Sequence, residues 1–300
     1  MNYKNYDVLI VGGGAAGFFS AINTAQKNPA LRVGILERGS NVLSKVKISG
    51  GGRCNVTHAE FEPKPLSSHY PRGQKELLGP FHTFMTGDTM QWFEERGVNL
   101  KIEEDGRVFP ESNSSQTIID CFTSEANKYN IDVLLNHSVQ DISTSKGGWE
   151  LSTPKGTFCA EKILIATGSN SKIWTLLELL GHQIVEAVPS LFTFTISDTR
   201  LKSIPGVVAK HVELFVNNSL LTSSGPLLIT HTGISAPSVL KLSAYGAIEL
   251  AKRKYNFDLT INFIAQDFAT CVQELEDYKS DNPKKLVRKT ALYGLPKRLW

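Results

Sequence analysis

Asp7-Val8-Leu9-Ile10-Val11-Gly12-Gly13-Gly14-Ala15-Ala16-Gly17 is the stretch whose reading decides the fold. Residues 7–11 form a short apolar run typical of a strand buried on both faces. The glycines stop it. From Ala15 to Gln26, Ala16, Phe19, Ala21, Ile22 and Ala25 make an apolar stripe at helical spacing. Asn28-Pro29 ends that helix, and Arg32-Val33-Gly34-Ile35-Leu36-Glu37 reads as a second strand. Such a β-α-β crossover is right-handed and its strands are parallel.

Between strand and helix lies Gly12-x-Gly14-x-x-Gly17. Gly12 permits the tight turn, Gly14 leaves room for a pyrophosphate against the backbone, and Gly17 lets helix and strand pack closely. The helix start then presents unpaired N–H groups and the positive end of its dipole to phosphate. Glu37 closes the second strand about 20 residues after Gly17, where a carboxylate accepts hydrogen bonds from ribose hydroxyls and repels a 2′-phosphate. The expected ligand is therefore FAD or NAD rather than NADP.

Outward from this unit, residues 40–80 are rich in Gly, Pro and Ser and read as irregular. Helices are expected at Thr89–Arg96, with Met90, Trp92 and Phe93 toward the core, and at Ser115–Lys128. Ile131–Leu135 reads as a third parallel strand. Alternating segments near 139–144, 149–153 and 157–160 suggest an antiparallel meander, and Glu161–Ala166 a further buried strand before Thr167-Gly168. A helix follows over Ile173–Leu180. After Gly181-His182 the character changes. Leu191–Ile196, Val212–Val216 and Leu259–Phe263 alternate apolar and polar residues, and Asn217-Asn218 is a hairpin turn signal. One helix is expected at roughly 236–252, and a charged, helical tail over 270–300.

The chain has 300 residues, enough for about two domains. Its 41% hydrophobic and 20% charged content is globular, which excludes a disordered chain, a coiled coil or a collagen-like fibre. A net charge of +3 with dispersed Lys and Arg argues against a nucleic-acid partner. No apolar run reaches the ~18 residues of a membrane helix. Met1 to Asn5 leads into the first strand without an apolar leader, so no signal peptide is expected. Cys54, Cys121, Cys159 and Cys271 are far apart in sequence, and reduced thiols in the cytoplasm are the default. His58, His69, His82, His137, His182 and His211 show no metal-ligand spacing, and no metal is expected.

Further motifs carry a resemblance. The Gly12–Gly17 loop, Glu37, Ser49-Gly50-Gly51-Gly52-Arg53-Cys54-Asn55, Gly106-Arg107-Val108-Phe109-Pro110 and Ala166-Thr167-Gly168 together resemble the HI0933-like (BaiN-like) family of bacterial NAD(P)/FAD-dependent flavoprotein oxidoreductases. Thr230-His231-Thr232-Gly233-Ile234-Ser235-Ala236-Pro237 resembles another of its segments, with Ala236 where a glycine is expected. The resemblance implies an α/β, Rossmann-like FAD-binding fold of the two-dinucleotide-binding kind, with an inserted antiparallel β domain and a helical insert. The implied boundaries are 1–187, 188–267 and 268–300. Gly12, Gly14, Gly17 and Glu37 would hold the ADP half of FAD, and Ala15, Ala16, Arg38 and Lys45 are further cofactor-binding candidates. Ser49, Gly50, Gly51, Gly52, Arg53, Cys54 and Asn55 would run along the pyrophosphate and isoalloxazine, and Ala166, Thr167 and Gly168 would pack near the adenine side. The loop after Gly168 is shorter and poorer in glycine than the family's. The family's closing glycine-rich segment has no counterpart, so a truncated chain is expected.

Candidate catalytic side chains are His231, beside a helix start, as a proton donor, and Arg53, as a donor to the flavin or the pyrophosphate or else a lock on its own loop. Arg107 and Phe109 either shape the pocket or are an ordinary turn and core residue. Cys54 reads as packing rather than a redox thiol, because it has no partner in sequence. The expected activity is flavin-mediated hydride transfer to a small organic substrate, with NAD(P)H a transient donor because no second Gly-x-Gly-x-x-Gly occurs. A tRNA-modifying flavoprotein and a non-catalytic dinucleotide-binding fragment are the alternatives.

Overall fold

The computed structural model describes residues 4–300. Met1–Tyr3, part of the lead-in read above, lie outside the described residues. The chain divides into two compact units, the first ending at Val185 and the second starting at Glu186.

The first unit begins with strand β1 (Lys4–Val11), helix α1 (Ala15–Lys27) and strand β2 (Val33–Leu36). Val8 to Val11 of β1 pair in parallel with Val33 to Leu36 of β2, as the crossover requires. Two short helices follow, α2 (Ser44–Ile48) and, beyond strand β3 (Thr57–His58), α3 (Pro63–Ser68). Next come α4 (Gln74–Phe81), α5 (Thr86–Glu94), strands β4 (Leu100–Ile102) and β5 (Arg107–Pro110), and α6 (Ser115–Lys128). The unit ends with strands β6 (Asp132–Leu134), β7 (Asp141–Ser145), β8 (Gly148–Thr153) and β9 (Gly156–Ile165), then α7 (Ser171–Leu179).

Strand order in the main sheet is β6-β2-β1-β9-β8-β7. Its parallel centre is buried on both faces. Ile10, Val33 and Ile35 meet Phe18, Ile22, Ile118 and Phe122 of α1 and α6, while Leu9, Val11 and Leu36 meet Leu151, Phe158 and Ile173 on the other face. A second, three-stranded sheet has the order β3-β5-β4.

Three expectations are corrected here. Residues 40–80 contain α2, α3 and α4; each is a single turn or two, too short to show helical periodicity, and Pro63 starts α3. The helix expected from Thr89 starts at Thr86, because the Asp88 carboxylate accepts the Met85 N–H (2.8 Å) and fixes the entry turn. The last meander strand and the strand at 161–166 are one element, β9. It pairs antiparallel with β8 through residues 156–160 and parallel with β1 through 158–165. Its far end is not fully buried, and Leu164 is 40% exposed.

The second unit contains strand β10 (Phe194–Thr195), helix α8 (Thr199–Lys202), strands β11 (Val208–Val216), β12 (Thr222–Ile229) and β13 (Gly233–Ser235), helices α9 (Pro237–Tyr245) and α10 (Ala247–Lys252), strand β14 (Leu259–Asn262) and helix α11 (Phe268–Asp281). The sheet is antiparallel with order β10-β13-β12-β11-β14. Val239, Leu242 and Leu250 of α9 and α10 pack with Val212, Leu214, Leu227 and Ile234 of the sheet. Asn217 and Asn218 lie in the β11–β12 hairpin, with Asn218 at φ +56° and the Val216 N–H donating to Leu221 O (3.0 Å). The single helix expected at 236–252 is divided at Gly246. Beyond Asn282-Pro283 the helical expectation fails, and only a short turn at Val287–Lys289 remains; Pro283 cannot donate the N–H that would continue α11.

Candidate cofactor site

The carboxyl ends of β1, β2 and β9 converge, as they do at ligand sites of open α/β sheets. Gly12 N–H donates to Leu36 O (2.8 Å), Ala166 N–H to Val11 O (2.8 Å) and Glu37 N–H to Leu134 O (2.9 Å). Each glycine of the loop has a distinct geometric task. Gly12 has φ +117°, and a Cβ there would sit 2.5 Å from Ala166 O. At Gly17 a Cβ would run into the Gly12 carbonyl oxygen, while at Gly14 it would meet nothing within 4 Å. Gly12 and Gly17 are thus packing glycines, and Gly14 borders open space. Ala15 and Ala16 are exposed, and no side chain caps α1. Its leading N–H groups have no intrahelical acceptor.

Glu37 is held in place by backbone donors. Gly13 N–H donates to its Oε2 (2.9 Å) and Gly39 N–H to its Oε1 (2.7 Å). The glycine between Gly12 and Gly14 matters for this contact, since a Cβ on Gly13 would lie 2.8 Å from Val42 Cγ1 and 3.1 Å from Glu37 Oε2. Each carboxylate oxygen keeps a lone-pair direction for a ribose hydroxyl. Lys45, in α2, brings its Nζ within 3.4 Å of the position of a Cβ on Gly168. One cation therefore stands beside both the phosphate loop's neighbour Ala166-Thr167-Gly168 and the second glycine loop. Arg38 is exposed next to Glu37.

The loop from Ser49 to Asn55 has an unusual backbone. Gly50, Gly51 and Gly52 have φ of +55°, +68° and +86°, and Cys54 adopts +61° without being glycine. Cys54 N–H donates to Ser49 O (3.0 Å), and the Ser49 hydroxyl donates to Val46 O (2.8 Å). Asn55, with its amide NH2 toward the β5 side, donates to Val108 O (3.2 Å) and Thr57 O (2.8 Å). Burial pushes the Cys54 thiol above the usual thiol range, opposed by a hydrogen bond with Ser49. A buried, protonated thiol packs rather than attacks, and all four cysteines are free. The Arg53 guanidinium is engaged by Glu103 (2.6 Å) and lies over the Phe109 ring at 3.9 Å from its centroid.

Between α1, α2, this loop, α5 and α6 lies a pocket of about 450 Å³. Lys45, Ser49 and Asn55 give it a polar side, and Phe19, Phe84, Trp92, Phe93 and Phe122 an aromatic one. A larger cavity of about 1470 Å³ in the second unit is lined by Phe192, Phe194, Tyr255 and Phe257 among others, and by none of the expected cofactor residues. The phosphate-loop region carries the chemistry of a dinucleotide site, so size does not decide between them. His231 belongs to the second unit, exposed in the turn where Thr230 N–H donates to Gly233 O (2.8 Å). The first unit therefore gathers the expected cofactor residues without it. Sequence reading missed Gly13, Gly39 and Glu103; the run Gly12-Gly13-Gly14 was a visible signal for the first of these.

Fold and site define a Rossmann-type dinucleotide-binding protein. The chain belongs to the HI0933-like family, whose Rossmann domain matches residues 6–287. It is 28% identical to the ribosomal RNA dihydrouridine synthase of Escherichia coli (strain K12) over 308 residues, covering 99% of this chain and 72% of that protein. It is 24% identical to a 3-dehydro-bile acid delta(4,6)-reductase of Clostridium scindens, covering 97% of this chain and 72% of that one. Among solved structures, the open conformation of a flavocytochrome c3 fumarate reductase shares the fold at a TM-score of 0.51 and 18% identity, covering 69% of this chain and 47% of that one. No helix among the described residues is long and apolar enough to cross a membrane.

Proposed function

We propose that the chain binds FAD along Gly12–Gly17, Glu37, Lys45 and Ser49–Asn55 and reduces a carbon–carbon double bond of a small organic substrate in the cytoplasm, with NAD(P)H as donor. The observation that carries the cofactor assignment is the open space at Gly14 beside an uncapped helix start and a Glu37 carboxylate already oriented by Gly13 and Gly39. Bound flavin supplies two-electron hydride chemistry. The residues of the chain supply the rest. The N–H groups of Ala15 and Ala16 and the Lys45 ammonium neutralise diphosphate charge. Glu37 accepts from ribose. Arg53 stays with its loop.

The double-bond assignment is supported by the names of two relatives, a dihydrouridine synthase and a delta(4,6)-reductase, both of which denote saturation of a ring C=C. Overall, NAD(P)H and one proton are consumed as C=C becomes CH–CH. A second reading, an RNA substrate, is favoured by the ribosomal RNA dihydrouridine synthases of Escherichia coli and Haemophilus influenzae, at 28% and 26% identity; the weak net charge of +3 argues against it. The test is purification of the 300-residue chain, incubation with FAD, removal of free flavin and anaerobic addition of NADH or NADPH. Retained flavin that bleaches, and reoxidises on adding a cyclic enone but not ribosomal RNA, supports the reading. A colourless protein refutes it, and reoxidation by RNA alone establishes the second.

A further inference from the structure

We propose that Glu103 is a positioning residue for the Ser49–Asn55 loop, acting through Arg53 to hold the left-handed backbone that faces the cofactor. The inference rests on the FAD reading above for its functional meaning.

Four residues of this loop, Gly50, Gly51, Gly52 and Cys54, lie in the left-handed region. Glycine enters and leaves this region freely, so the three glycines do not fix the shape themselves, and Cys54, a non-glycine residue there, stays only where its surroundings over-determine it. Within the loop the holding contacts are sparse. Arg53 N–H donates to Gly50 O at 3.4 Å, and Cys54 N–H to Ser49 O at 3.0 Å. The outside anchor is the β4–β5 hairpin. Its turn is itself closed, with Glu103 N–H donating to Arg107 O (2.9 Å) and Gly106 N–H to Glu103 O (2.9 Å). From it the Glu103 carboxylate reaches Arg53 by Oε1 (2.6 Å) and Oε2 (3.5 Å). Oε2 also takes Arg107 Nη2 (3.5 Å), and Arg107 turns its Nε to Asp105 (2.7 Å).

Phe109, fully buried, completes the anchor. Arg53 lies over its ring at 3.9 Å and Arg107 at 5.3 Å from the centroid. The same ring limits Gly50, where a Cβ would come within 3.0 Å of Phe109 Cε1 and 2.7 Å of Asn55 N. Phe109 thus sets the distance between hairpin and loop, and Glu103 sets the rotation of the Arg53 arm over the ring. Arg53 and Glu103 side chains are 32% and 27% exposed, so the pair is only partly screened by water. A fixed fork of this kind orients backbone as well as charge.

The test uses Glu103→Gln, which keeps shape and removes charge, with Glu103→Asp as the conservative rescue and Asp105→Asn as the neighbouring control. Hydrogen exchange of residues 49–55 is read first without FAD, so that it does not depend on the cofactor assignment. Exchange there is expected to rise about tenfold in Glu103→Gln, to recover in part in Glu103→Asp and to stay unchanged in Asp105→Asn. With FAD added, affinity is expected to fall about tenfold and the flavin reduction potential to move in Glu103→Gln alone. Unchanged exchange in Glu103→Gln overturns the inference whether or not the chain binds FAD. A wild-type chain that takes up no FAD, with exchange raised as expected, leaves the anchor standing and refutes the functional reading. Should Glu103→Gln fail to fold, Arg53→Lys, which keeps the charge and loses the fork, is measured in its place, and wild-type exchange in that variant overturns the inference.

Discussion

Ala236→Gly is expected to stabilise the second unit. Ala236 stands at the head of α9 with φ +88° and ψ 174°, a basin that is essentially open only to glycine. A non-glycine residue held there stores about 1–3 kcal/mol. Glycine relieves that strain but costs ~0.5–1 kcal/mol through the greater freedom of the unfolded chain. Ala236 is half-buried, so its methyl group forfeits at most ~0.8 kcal/mol of burial. The balance is a gain of about 1 kcal/mol by these magnitudes. Nothing else in the turn need move: Pro237 already occupies the first helical position, and the Ser238 hydroxyl still donates to Pro226 O (2.7 Å). The assay is urea unfolding followed by circular dichroism, together with hydrogen exchange of the α9 amides. A gain of that size raises the midpoint by roughly 0.3–1 M at an unchanged slope and slows exchange in α9. An unchanged or lowered midpoint refutes the claim that this backbone is strained. Ala236→Val is the opposite control and is expected to destabilise, since a β-branched residue tolerates positive φ least.

Three further outcomes follow from the first unit. Gly17→Ala drives a Cβ into the Gly12 carbonyl and is expected to cost ~3 kcal/mol or more in unfolding free energy, whereas Gly14→Ala, with open space around its Cβ, keeps the melting temperature and weakens FAD binding in a flavin titration. Tyr6 donates to Asp132 Oδ2 (2.8 Å), and burial, seconded by that bond, raises its pKa from 10.0 to about 12. The folded form holds its proton more tightly, so the contribution is complete below the unfolded value and is lost as pH rises from about 10 to about 12; unfolding of Tyr6→Phe across that window is expected to lack this part of the alkaline loss. Glu125→Ala takes from Arg96, 7% exposed, its carboxylate partner at 3.1 Å but leaves it Glu95 Oε2 at 4.0 Å and Gln26 Oε1 at 2.7 Å, and is expected to cost about 1–3 kcal/mol in a denaturant titration.

The β-α-β unit was legible because each of its signals is local. Apolar runs, a glycine spacing and a carboxylate at a fixed offset all sit within 37 residues, and the spacing places close backbone contacts at Gly12 and Gly17 and open space at Gly14. The helix over Ser115–Lys128 was equally plain, since its apolar face repeats over several turns. Short elements were not legible. Helix α2, five residues long, has no room for a period, and its place is set by Leu43 N–H donating to Gly13 O (2.8 Å). Strand β9 was read as two strands because β8 pairs only with its first half while β1 runs along the remainder, a property of the sheet and not of the segment.

Arg53 shows where reading a site from motif alone stops. In sequence it is a cation inside a glycine loop, and cation plus glycines suggests an anion to be bound. Its partner, Glu103, lies 50 residues away in a stretch, Glu103-Glu104-Asp105, that reads as a solvated acidic turn. Nothing local distinguishes which of those carboxylates is turned inward. The choice is made by the β4–β5 pairing, which sets Ile102 opposite Val108 and Lys101 opposite Phe109, and by Gly106, whose φ of +81° closes the turn. Once that hairpin exists, Glu103 faces Arg53 and Asp105 faces Arg107. The charge that looked available for chemistry is committed to shape. Lys45, exposed and near Gly168, is a cation free of any such anchor in the β4–β5 hairpin. Lys45→Ala should therefore weaken FAD binding without loosening residues 49–55, the reverse of the order expected for a ligand-binding Arg53, and hydrogen exchange read beside a flavin titration separates the two roles.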